Sequence, residues 1–203
     1  MERKLELIIP ILLIAGIVFA TNGKPNNSDY IVVPSEKIAT STSDEAFHTM
    51  MDVLTHQRCV NCHPNDNIPK QGEDSHPHYF GVERGEDNHG FKATKCATCH
   101  QSENNNYSGV PGAPEWALAP ASMYWEGLSR IEIAESMMDP KRNGGRTPEE
   151  TMHHLTEHEL VLWAWKPGVD SEGNLRELPP VPKDEYITAV KKWFKEGHII
   201  PSK

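Results

Sequence analysis

Two pentapeptides of one form, Cys59-Val60-Asn61-Cys62-His63 and Cys96-Ala97-Thr98-Cys99-His100, use all four cysteines of the chain. Cys-x-x-Cys-His is the attachment signal of a c-type haem. Its two thiols add to the vinyl groups as thioethers, and the histidine beside them is held under the iron. Cys59, Cys62, Cys96 and Cys99 therefore read as covalent anchors for two haem c groups, with His63 and His100 as the proximal ligands. The rival is a zinc staple, whose cysteine pairs stand about 15 to 20 residues apart. Here 33 residues, 63 to 95, separate Cys62 from Cys96. Zinc also gives no reason for a histidine after each pair. The same short separation leaves too little chain for two tandem one-haem domains, so the motifs predict one domain with two haems close together, sharing loops. The flanks of the pentapeptides do not resemble each other, and no internal duplication is visible.

No cysteine is left for a disulfide, which matters because the N-terminus reads as an export signal. Leu7 to Ala20 is an uncharged, largely apolar run behind Arg3 and Lys4, shorter than the roughly 20 residues of a membrane-spanning helix. Residues 1–20 read as a signal peptide with cleavage before Thr21, placing the protein in the periplasm. The alternative is an uncleaved anchor through residues 7–20, facing the periplasm; with cleavage no stable membrane insertion is expected. Residues 21–42, rich in Asn, Ser, Thr and Pro, read as a flexible linker, and 43–203 as the dihaem domain. Lys and Arg total 20 against 29 Asp and Glu, a net charge of -9. That balance disfavours nucleic acid and favours a partner with a basic surface.

The hydrophobic pattern predicts a mainly α fold, cytochrome c-like, of about four helices with long loops wrapping the two haems. Ser43 caps a first helix whose apolar positions, Ala46 to Leu54, run to the first motif. Ser129 to Met138 forms a second. Thr147-Pro148-Glu149-Glu150 starts a third, predicted to reach Trp165. Tyr186, Ile187, Val190, Trp193 and Phe194 share one face of a fourth, closed by Gly197. Residues 64–95 and 101–122 carry Pro, Gly, Asn and Asp at short intervals and read as loop.

Nine other histidines are available to close the far side of each iron. His78 lies in a loop between the motifs, stiffened by Pro77. His154 lies on the third helix, on a stripe with His158, Val161 and Trp165, while His153 faces away. His78 and His154 are the candidate distal ligands and Met123 the alternative, since methionine also serves c-type iron and raises its potential. Met50, Met51, Met137 and Met138 read as core. The late aromatic residues Trp116, Tyr124, Trp125, Trp163, Trp165, Trp193 and Phe194 suit either core or haem walls.

The stretches CVNCHP, HPHYFGVERG, CATCHQ, PGAPEWALAPASMYW, NGGR and ELVLWAWKPG resemble small exported dihaem cytochromes c, of the group often labelled isoquinoline oxidoreductase subunits. The resemblance spans most of residues 59 to 168. It places His78 and His154 on histidines of the family pattern and Met123 on its methionine, while His158 stands where an acidic residue is expected. It implies electron transfer from a molybdenum hydroxylase-type dehydrogenase to a cytochrome or oxidase. Catalysis itself does not carry over, because no cysteine is left for an iron-sulfur site. The expectation is a periplasmic electron carrier; the alternative is a peroxidase-like haem enzyme with one open iron.

Overall fold

The computed structural model describes residues 42–202. The expected signal peptide and all but the last residue of the expected linker lie outside the described residues, as does Lys203. Among the described residues, no helix is long and apolar enough to cross a membrane.

The architecture is mainly α. Helix α1 (Thr42–Leu54) begins one residue ahead of the expected Ser43 cap. It does not run into the first motif. The Thr55 hydroxyl donates back to the Met51 carbonyl at 2.7 Å, a local bond that competes with helix propagation. The His56 ring then accepts from the Arg58 N–H at 3.3 Å and caps a separate short helix, α2 (Gln57–Val60), which carries Cys59. Helix α3 (Arg130–Met138) starts at a capping box of Ser129 and Glu132. Helix α4 (Pro148–Glu157) starts at a second one, of Thr147 and Glu150.

The third helix does not continue to Trp165 as the pattern predicts. It stops at His158, whose backbone is extended at φ -70°, ψ 125°. His158 then serves as the N-cap of α5 (Glu159–Leu162), which passes into a 3-10 turn at Trp163–Trp165. Histidine at a cap accepts the orphan N–H of a new first turn, here that of Leu160 at 3.3 Å, and the chain changes direction there. The expected stripe from His154 to Trp165 is broken as a result. Helix α6 (Lys183–Lys195) closes the fold.

Helix α6 packs against α1 and α4, because each presents an apolar face. Phe47, Met50, Met51 and Leu54 of α1 meet Tyr186, Val190 and Trp193 of α6, with Ile133, Met137 and Leu155 completing the core. Of the four methionines read as core, Met138 is only partly buried.

Between the motifs the chain forms two hairpins of two-residue antiparallel strands. They pair β1 (Lys70–Gln71) with β2 (His76–Pro77), and β3 (Gly90–Phe91) with β4 (Thr94–Lys95). The second hairpin delivers Cys96. Gly90, at φ 87°, lies so close to β4 that a Cβ there would stand 2.5 Å from the Thr94 carbonyl oxygen. Only glycine tolerates both the left-handed backbone and that approach.

Candidate functional site

His63 and His100 are held in the same way. The Nδ1–H of His63 donates to the Met123 carbonyl at 2.6 Å, and that of His100 to the Pro111 carbonyl at 2.7 Å. A carbonyl can only accept, so Nδ1 carries the proton and Nε2 keeps its lone pair for a metal. Each ring also lies flat on an indole. His63 stacks on Trp125 at 3.6 Å between centroids and 9° between planes, and His100 on Trp116 at 4.5 Å and 5°. The two sites thus share a local design that their sequence flanks do not show.

The first motif opens into a cavity of about 470 Å³, within the range of small-molecule and cofactor pockets. Cys59, Cys62 and His63 line it on one side, and His154 and Leu155 of α4 also reach it. Burial pulls the His63 ring down to about 4 against the help of the Met123 carbonyl, and His154 and Arg84 lower it further. His154 is likewise pulled down to about 4, by burial first and then by Arg146, His158 and His153. Both imidazoles are neutral near pH 7, the form that binds iron. His153 points outward and pairs with Glu157 at 3.0 Å.

At the second motif, His78 and His100 face each other across 6.0 Å between ring centroids, with 71° between planes. The His78 Nδ1–H donates to its neighbour's carbonyl, Tyr79, at 2.8 Å, which leaves Nε2 free there too. Two metal–nitrogen bonds of about 2.0 Å, with about 1.1 Å from each nitrogen to its ring centre, put two axial imidazoles about 6 Å apart. The separation matches. Trp163 closes the wall edge-on against Trp116 at 5.0 Å, and its indole N–H donates to Asn104 at 2.9 Å.

Met123 has a different place from the one expected of a distal ligand. Its carbonyl takes the Nδ1–H of His63, while the residue also lines the first cavity. Its sulfur accepts the Ser136 hydroxyl at 3.5 Å in the core. His158 is also committed, with Nδ1 at the α5 cap and Nε2 3.3 Å from Glu115.

Among the described residues, no group of three or more His, Cys, Asp or Glu is arranged to hold a metal ion. Burial pushes the Cys59 thiol up to about 12 and the Cys62 thiol up to about 11, with Cys62 and Cys96 respectively adding to the effect. Thioethers would place no charge in the cavity. The influence of Cys96 on Cys62 also shows that the two motifs approach each other in space. Trp125 Nε1 and Thr151 Oγ1 are buried on the cavity wall without a hydrogen-bond partner, as expected where a further polar group belongs.

Sequence reasoning did not find the clamp that holds α2. The buried Arg58 guanidinium pairs with Glu73 and donates through Nε to the Glu177 carbonyl at 2.8 Å. An arginine beside the first cysteine was the available signal, but its partners lie 15 and 119 positions away. The backbone acceptors of His63 and His100 left no side-chain signal at all.

Comparison with protein-family models, curated proteins and solved structures gives no match.

Proposed function

We propose that the chain is an exported dihaem c-type cytochrome that transfers electrons, cytochrome c-like in its loop-wrapped sites. Cys59 and Cys62 anchor one haem between His63 and His154; Cys96 and Cys99 anchor the other between His100 and His78. The observation that carries the reading is the His78–His100 pair: two rings, each with Nδ1 tied to a backbone carbonyl, at a centroid separation that would suit two ligands of one metal. Haem supplies a one-electron iron couple at each site. The protein's part would be to hold His63, His78 and His100 in fixed tautomers, supply His154 from α4, and shield the first site from water.

The two sites differ in exposure, and this supports a direction of traffic. Cys99, Ala97 and Thr98 of the second motif are exposed. The first motif opens instead into the cavity under α4. Electrons exchange with partners at the second site and reach the first through the close approach of the motifs. Glu83, Glu86, Asp87 and Glu103, all exposed on the segments flanking the second motif, suit a redox partner with a basic surface. The resemblance points to a molybdenum hydroxylase-type dehydrogenase as donor and a cytochrome or oxidase as acceptor, in the periplasm.

The test is an absorption spectrum of protein exported from a host that matures c-type haem, oxidised, reduced, then exposed to carbon monoxide. Two covalent haems per chain that resist carbon monoxide are expected. A large shift with carbon monoxide means an open iron and favours the peroxidase-like alternative. Absence of covalent haem overturns the proposal.

A further inference from the structure

The first cavity contains polar groups that neither iron ligation nor cysteine attachment uses. Trp125 and Thr151 are each 4% exposed, both line this cavity, and the indole Nε1 and hydroxyl Oγ1 have no hydrogen-bond partner. More than nine in ten buried polar groups in proteins are paired. Two unpaired donors lining one cavity therefore point to a ligand with acceptors. The stacking of Trp125 on His63 fixes where its N–H lies, and Thr151 sits on α4 one turn ahead of His154.

A third group adds charge. Arg146 lines the same cavity, and its charge also acts on the exposed Glu150 carboxyl. Its guanidinium is steadied by a bond from one terminal nitrogen to the Asn143 carbonyl at 2.8 Å, which leaves its other donors available. Asn143, 2% exposed, is itself anchored. Its amide donates to the Met137 carbonyl at 2.8 Å and the Arg146 carbonyl at 3.1 Å, and its oxygen accepts the Arg146 N–H at 2.8 Å. The other arginine on the wall, Arg58, is already neutralised by Glu73, and the carboxylate on the wall, Glu115, faces His158. The cavity lining thus combines a cation with two unpaired donors. A buried carboxylate needs this set, because without charge pairing and hydrogen bonds its burial costs several kcal/mol.

We propose that Trp125, Thr151 and Arg146 form a cradle for the propionate edge of the first haem. The inference rests on the reading of this cavity as a haem site. It adds an orientation: the carboxylate edge lies toward the 143–151 segment at the start of α4.

The test compares exported holoprotein with Thr151→Val, Thr151→Ser, Trp125→Phe and Arg146→Gln. Both haems are covalently attached, so haem content and the reduced spectrum report separately whether each variant has matured. Resonance Raman spectra follow the propionate bending bands, which respond to hydrogen bonding at the carboxylates, and a potentiometric titration follows both midpoints. Thr151→Val and Trp125→Phe each remove one donor with little change of shape, and Arg146→Gln removes the charge. Each is expected to shift a propionate band and to lower one midpoint while the other stays, because a less compensated carboxylate favours ferric iron. Thr151→Ser keeps the hydroxyl and should leave bands and midpoints unchanged. Two haems per chain with bands unmoved in all three donor variants would overturn the cradle and leave the dihaem reading standing. Wild-type protein without covalent haem overturns both.

Discussion

At His63, His78 and His100 the two ring nitrogens are divided between tasks: Nδ1 holds a backbone carbonyl and Nε2 remains free. A carbonyl partner fixes the tautomer and the ring angle, which is what a metal ligand needs from its surroundings. His154 approaches from α4 and is kept neutral mainly by burial. Replacing His78 or His154 with alanine should therefore open one iron each, so that reduced protein binds one carbon monoxide per chain. Met123→Leu should open none, since the carbonyl that holds His63 stays. Its cost is about 1 kcal/mol of stability for the Ser136 hydroxyl left without its acceptor, measured by denaturant unfolding. Were Met123→Leu to create a carbon monoxide site, the geometry assigned to that residue would be wrong.

Among the elements, α4 is the one on which the first site most depends, and a capping box starts it. Thr147→Ala removes the side chain that accepts the Glu150 N–H and should cost about 1 kcal/mol, seen as a lower unfolding midpoint with both haems still attached. The clamp between α2 and the later chain gives a pH dependence. Burial pushes the Glu73 carboxyl up, but bonds from the Glu177 N–H, Gln57 and Arg58 outweigh it and hold the group below its usual value. A carboxyl whose folded value is depressed gives stability that is full above the unfolded value near 4.5 and is lost as pH falls through the lower folded one. Acid unfolding should therefore start in that window, and Glu73→Gln should flatten it. The same variant should lose about 1 to 2 kcal/mol at pH 7, because Arg58 stays buried without its ion pair. An acid profile identical to wild type would rule out this role for Glu73.

For the molecule as a whole, the charge of -9 and the exposed second motif predict that reduction by a positively charged donor slows several-fold as ionic strength rises from about 0.01 to 0.15 M, where screening lengths fall from about 30 to 8 Å. Rates that do not respond to salt would place the exchange surface elsewhere. Both motifs and all four of the longer helices are legible in the sequence, because attachment chemistry is written in five adjacent residues and caps in four. The two helix paths that break where periodicity predicts continuity do so beside a histidine used as a cap. His56 and His158 end one helix path and begin another, and periodicity alone treats both as ordinary positions along a stripe. The sequence by itself determined the mainly α character and the two Cys-x-x-Cys-His motifs on which the proposed attachment rests, since these depend on local spacing. Only the tertiary structure decided that His78 comes beside His100, that His154 shares a cavity with His63, and that the Met123 carbonyl holds the His63 ring. Those pairings join residues 22 to 91 positions apart. They depend on where α4 and the loops come to rest once the α1, α3, α4 and α6 faces have buried their apolar surface, which is a property of packing and has no local sequence signal.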